Sequence, residues 1–109
     1  MSFDRLIEKI IETKNPTVVG LDPRLEYVPE YLQKRYLDDD GWSLKAASRA
    51  IFSFNKLIID EICDIVPAIK PQAAYYEMYG HHGVKTLERT IRYAQLKGMY
   101  VITDGKRND

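Results

Sequence analysis

Three short apolar runs, rich in β-branched residues, recur along this chain with stretches between them long enough to hold helices. TVVGL (17–21), Val66 to Ile69 and Met99 to Thr103 each suit a buried strand. Between these runs the apolar residues switch to a spacing near 3.6. Hairpins join strands through a few residues, whereas parallel strands need a crossover of a dozen or more. Strands alternating with amphipathic helices predict a parallel sheet with helices outside it, an α/β fold.

The helices can be placed by their apolar stripes. Phe3, Leu6, Ile7, Ile10 and Ile11 predict an opening amphipathic helix, which Asn15-Pro16 ends. A short helix is expected around 29–36, followed by a DDDG loop at 38–41. Ser43 can cap the next helix, whose stripe is Ala47, Ala50, Ile51, Phe54, Leu57, Ile58 and Ile62. Pro67 is tolerated at the start of the second strand, where a missing N–H matters least. AAYYEMYG (73–80) reads as a short helix ending in glycine. Val84, Leu87, Ile91 and Ala94 mark one more helix, with Gly98 as its C′ residue after Lys97. No repeat, low-complexity segment or linker interrupts this order, so residues 1–109 are expected to form one domain.

Composition narrows the function classes. Sixteen basic residues balance sixteen acidic ones, so no global field recruits nucleic acid or an anionic membrane, although a local site can still bind an anion. The single cysteine, Cys63, excludes an intrachain disulfide and fits a reducing compartment. The opening MSFDRLIEKI lacks the apolar core of a signal peptide, and no run approaches the roughly 18 apolar residues of a membrane helix. A soluble, cytoplasmic protein is the expectation. A parallel sheet that stops at its third strand also leaves an apolar edge, which predicts the N-terminal portion of a longer polypeptide.

All three strands close on ionisable residues: Asp22, Lys70, and the group Asp104, Lys106 and Asp109. In a parallel α/β sheet the C-terminal strand ends share one rim, where catalytic groups gather. Asp22 and Lys70 each precede a proline, which biases them toward extended backbone and a fixed projection. Asp104 and Lys106 fall on one side of a persisting strand. A lysine held between carboxylates stays protonated and can deliver a proton to a bound substrate.

Taken singly, each feature has a plainer reading. Asp22-Pro23 opens turns, Asp104-Gly105 resembles a hairpin turn although no apolar strand follows it, and KRND alone is a solvated end. The agreement of three strand ends favours a rim. His81-His82 sits in a glycine-flanked stretch, YGHHG, expected to be a loop, and lacks a neighbouring Cys or Asp to complete a metal site. Cys63 reads as a small buried hydrophobe and Tyr75, Tyr76 and Tyr79 as packing. No Walker or Rossmann glycine loop is present.

Asp104-x-Lys106-x-x-Asp109 after a strand, with Gly20-Leu21-Asp22 and Ile69-Lys70-Pro71 before it, resembles the orotidine 5′-phosphate decarboxylase family, in its longer-chain bacterial branch. The stretches VVGLDPRLEYVP, FNKLIIDEICDIVPAIKPQAAYYEMYG and GMYVITDGKRND carry the resemblance across essentially the whole chain.

The resemblance implies an N-terminal part of a (β/α)8 TIM barrel, an opening helix plus strands 1–3, or roughly 40% of a barrel of about 250 residues. It implies a carboxy-lyase that converts orotidine 5′-monophosphate to uridine 5′-monophosphate and CO2 in de novo pyrimidine synthesis, with no metal and no organic cofactor. By the same resemblance, Asp22 and Lys70 would contact the ribose hydroxyls. Lys106 would protonate C6, and Asp104 would sit beside the departing carboxylate. Asp109 would reach the active site of the other subunit of a homodimer. The family's phosphate-binding residues and closing loop belong to later strands, so the 109 residues alone are expected to be inactive.

Two other readings compete. A magnesium-dependent sugar-phosphate enzyme of the same barrel shares the Asp-x-Lys-x-x-Asp pattern but wants an acidic ligand near the second strand end, where Lys70-Pro71-Gln72 stands. A non-catalytic half-barrel fragment would instead self-associate through its open edges.

Overall fold

The computed structural model describes residues 3–22, 24–37 and 43–103. Helix α1 (Phe3–Thr13) leads into strand β1 (Val18–Leu21). A 3-10 turn (Leu25–Tyr27) and α2 (Glu30–Leu37) precede the long α3 (Leu44–Ile62). Strand β2 (Ala68–Pro71) follows, then α4 (Ala73–Glu77), α5 (Gly80–Leu96) and β3 (Tyr100–Val101). The three strands form one parallel sheet in the order β1-β2-β3. The expected alternation is therefore present.

The helix ends follow from named residues. α1 stops at Thr13; Lys14 takes φ 56° and Asn15 Oδ1 accepts a hydrogen bond from the Thr17 N–H at 2.9 Å, turning the chain into β1. Ser43 caps α3, its Oγ accepting from the Ala46 N–H at 3.0 Å. Gly98, at φ 82°, closes α5. Its N–H donates to the Gln95 carbonyl and the Met99 N–H to that of Ala94, each at 3.0 Å, the paired bonds of a Schellman cap.

Alternation along the strands separates two faces. Leu21, Ile69 and Met99 are buried and, with Val19 and Val101 beside them, pack on Ile59 of α3 and Ala94 of α5. On the other face Val18, Gly20 and Lys70 are exposed. A second apolar cluster, Val28, Leu32, Ala50, Ile51, Tyr76 and Leu87, joins α2, α3, α4 and α5. One side of the sheet is thus covered by helices while the other carries the charge.

Several expectations need correction. Strand β2 spans Ala68–Pro71 rather than Val66 to Ile69: Pro67 lies ahead of it, although its carbonyl accepts from the Tyr100 N–H at 2.9 Å. Lys70 is consequently inside the strand, and Pro71 ends it, where an absent N–H is tolerated. β3 is shorter than expected, although the Ile102 N–H still donates to the Ile69 carbonyl at 2.9 Å. His81 and His82 are in the first turn of α5, not a loop, and their rings lie 3.9 Å apart between centroids. Ile7, Ile11 and Leu57 belong to the predicted apolar stripes yet are exposed, because no described element covers those positions. Cys63 is half-buried against the sheet-side core, and Tyr75 is exposed.

Candidate active site

The rim is built at the C-terminal ends of β1 and β2. In their register Gly20 is paired with Lys70 and Leu21 with Pro71. Paired residues of parallel strands share a face, and side chains alternate along each strand. Lys70 therefore projects on the face of Gly20, away from the helices, and is exposed. Asp22 is two positions beyond Gly20, one residue past the pairing, so the pleat returns it to the same face; it too is exposed. The Asp22 carbonyl accepts from the Arg24 N–H at 2.9 Å as the chain turns away.

Behind Asp22 the strand end is held by a buried polar knot. The Tyr76 hydroxyl, fully buried, donates to the Leu21 carbonyl at 2.9 Å. Asn55 Nδ2 donates to Tyr76 Oη at 3.0 Å and to Thr90 Oγ1 at 3.1 Å. Three helices are thereby tied to the backbone one residue before Asp22. Burial pushes the Tyr76 hydroxyl pKa well above its ordinary value; the Asn55 hydrogen bond opposes this and the negative charge of Asp22 adds to it. The hydroxyl thus stays protonated and keeps donating. Sequence reading took Tyr76 for packing and passed over Asn55. The available signal was an asparagine inside the apolar stripe of α3, a position that calls for a buried partner.

Close packing of α4 on α5 supports the knot. A Cβ at Gly83 would stand 1.8 Å from the Tyr76 carbonyl oxygen, so only glycine lets α5 pass there. Beyond the rim, Arg24 lies over the rings of Tyr27 and Tyr75, 5.8 and 6.0 Å from their centroids. It borders a cavity of about 410 Å³ that also includes Glu26, Leu44 and Tyr79 but neither Asp22 nor Lys70.

Of the five predicted site residues, the structure brings Asp22 and Lys70 to one face. Asp104, Lys106 and Asp109 lie outside the described residues. A carboxylate accepts from hydroxyls and an ammonium donates to them. Their pairing at adjacent strand ends can therefore hold a polyhydroxylated ligand such as a sugar ring.

No protein-family model matches the chain. Among curated proteins it is 39% identical over 106 residues to orotidine 5′-phosphate decarboxylase of Caldicellulosiruptor saccharolyticus, covering 97% of this chain and 35% of that protein. It is 43% identical over 100 residues to the enzyme of that name from Rhodopirellula baltica, covering 92% of this chain and 32% of the relative. The chain therefore spans about a third of the length of the curated relatives it matches. Solved structures agree. A crystal structure described as an orotidine-monophosphate decarboxylase of Toxoplasma gondii superimposes with a TM-score of 0.75 at 25% identity, covering 98% of this chain and 32% of that one. Leishmania donovani UMP synthase superimposes with a TM-score of 0.69 at 29% identity, covering 100% of this chain and 20% of that one. The fold is accordingly that of part of a (β/α)8 barrel.

Proposed function

We propose that this chain carries the ribose-binding and decarboxylating residues of an orotidine 5′-phosphate decarboxylase, which releases CO2 from orotidine 5′-monophosphate to form uridine 5′-monophosphate. The observation that supports this most is the 39% and 43% identity to enzymes of that name over 97% and 92% of this chain; beside it stands the rim of this chain, with Asp22 and Lys70 on one face. In this reading residues 1–109 are one uninterrupted unit of the barrel, and Asp22 and Lys70 hold the ribose hydroxyls. Lys106, kept protonated by Asp104 and Asp109, stabilises the carbanion that develops at C6 as CO2 leaves and then protonates it. An ammonium fixed at that carbon is a preorganised electrostatic device, which acts on the transition state more than on the bound substrate.

Decarboxylation so described runs on side chains alone, without a metal or organic cofactor. Asp109 reaches into a neighbouring subunit's site, which makes the working form a homodimer, and the setting is the cytoplasm. None of the described helices is long and apolar enough to cross a membrane.

Complementation tests the proposal. The 109-residue chain alone is expected not to turn over orotidine 5′-monophosphate. Co-expressed with the remaining two thirds of a relative's barrel, it should release CO2, and Lys106→Ala should abolish that release while nucleotide binding persists. Undiminished turnover in the Lys106→Ala pair would remove the proposed role of that lysine.

A further inference from the structure

Away from the rim, the outer surface of α3 and α5 carries a concentration of positive charge that the decarboxylase reading does not use. Lys45, Ser48 and Arg49 on α3 and His82, Lys85, Thr86 and Arg89 on α5 line one cleft of about 320 Å³. Their spacings, i, i+3, i+4 on α3 and i, i+3, i+4, i+7 on α5, put each set on a single helix face. Among the described residues, no acidic side chain lines the cleft. In a chain whose sixteen basic and sixteen acidic residues cancel, four permanent cations around one cleft is a local excess.

The cleft also has a built floor. Ser48 is 3% exposed, and its Oγ is a buried side-chain oxygen with no hydrogen-bond partner among the described residues. A buried hydroxyl left unpaired is destabilising, so a ligand oxygen offered to it is favoured. Thr86 Oγ1 donates to the Ser48 carbonyl at 3.2 Å, which locks α5 to α3 beneath the cleft. The guanidinium groups are held in place from behind: Arg49 stacks on Tyr36 at 5.4 Å and Arg89 on Phe52 at 4.4 Å. A second hollow of about 220 Å³ continues the first through Arg49 and Arg89 and adds Lys56.

We infer that this cleft is a binding site for a diphosphate group, free or carried on a nucleotide, separate from the sugar-holding rim. Phosphate suits the donor set: guanidinium forks bind its oxygens in pairs, ammonium groups act as point charges, and a serine hydroxyl supplies a short neutral bond. Two phosphate groups match the charge better than one, since a single phosphomonoester carries only about −1.5 to −2 against four fixed cations. His82 reports the field. Partial burial lowers its pKa, and His81, Lys45 and Lys85 lower it further, so a bound anion will draw it back up.

The site stands or falls independently of the decarboxylase reading, because the probe is inorganic pyrophosphate and the readout is binding. Titrated calorimetrically into the full chain at low ionic strength, pyrophosphate should bind once per chain. Arg49→Ala and Lys85→Ala, both exposed, should each weaken it at least tenfold, and Ser48→Ala should weaken it severalfold. The His82 ring resonances should shift on binding, with a raised titration midpoint. A nucleoside diphosphate that binds more tightly than pyrophosphate identifies a nucleotide as the ligand; equal or weaker binding identifies the free diphosphate. Absence of saturable binding, or unchanged affinity in Arg49→Ala and Lys85→Ala, overturns the site. Unchanged affinity in Ser48→Ala reduces it to diffuse surface charge and overturns it equally.

Discussion

Helices α3 and α5 are joined by two polar clusters that use similar groups in opposite ways. The first, Asn55 with Tyr76 and Thr90, is neutral and closed to solvent. The second, Asp60 with Tyr93 and Lys97, is charged and exposed: the Tyr93 hydroxyl donates to Asp60 Oδ1, and Lys97 Nζ stands 3.5 Å from the same oxygen. Burial decides what each can do. In a low dielectric a hydrogen bond is strong and a missing partner is costly, so the inner cluster fixes geometry. In water the outer one gains little, because solvent replaces each contact. The inner cluster is also the one that reaches the strand end beside Asp22. Rigidity is thus concentrated where a sugar would be held.

The comparison breaks most readily at Asn55. Asn55→Ala removes both donors at once and leaves Tyr76 Oη and Thr90 Oγ1 short of a partner, which should destabilise the fold by roughly 1–3 kcal/mol. Urea unfolding monitored by far-ultraviolet circular dichroism would show it as a lower midpoint at unchanged slope. A loss below a few tenths of a kcal/mol would mean that the knot does not organise the helices. Tyr76→Phe is milder, about 0.5–1.5 kcal/mol, because the ring still fills its place in the core while the Leu21 carbonyl loses its donor. Its more telling effect is on the rim. With the strand end no longer pinned, amide exchange at Leu21 and Asp22 should quicken more than exchange at Val19, and equal change at all three would deny the pinning role.

How much of this was legible beforehand follows from how local each signal is. The apolar runs and 3.6-residue stripes are short-range patterns, and they placed the strands and helices to within a few residues. The rim was readable because parallel topology puts strand ends together, so Asp22 and Lys70 could be paired without knowing a distance. The knot was not readable in that way: Asn55 and Tyr76 are 21 residues apart on different helices, and nothing local couples them. The glycines around His81-His82 misled for a related reason. They suggested a loop, yet Gly83 is needed because α5 crosses the Tyr76 carbonyl, and Gly80 takes φ 67° at the helix start. Close approach and chain reversal leave the same letter in a sequence. The basic cleft was missed because its charges are spread over two helices that only packing brings together.

The open face of the sheet sharpens the contrast. Lys70→Ala removes an exposed side chain from a strand whose backbone pairing is unaffected, so its effect on stability should lie within about ±0.5 kcal/mol. Ribose binding in a complemented barrel should nevertheless fall. A destabilisation as large as that of Asn55→Ala would mean that Lys70 supports the fold rather than a ligand.

The smallest expected effect is at the outer cluster, and its signature is pH rather than size. The hydrogen bond from Tyr93 holds the Asp60 carboxyl below its ordinary value of 3.8; slight burial opposes this and the Lys97 charge assists it. A depressed carboxyl pKa gives stability that is present above that ordinary value and fades as the pH falls through the lowered one. The same bond raises the Tyr93 hydroxyl above its ordinary 10.0, and the charges of Tyr93 and then Asp60 raise Lys97 above 10.5. Raised values work in the opposite sense: their contribution is present below those ordinary values and disappears as the pH climbs through the folded ones. Wild type and Asp60→Asn should therefore differ most in unfolding midpoint on the broad plateau between, near neutral pH, and converge towards both extremes. Asn55→Ala, acting through a group that does not ionise, should keep its deficit across the whole range. Parallel pH profiles for the two variants would show that the outer cluster does not act through charge.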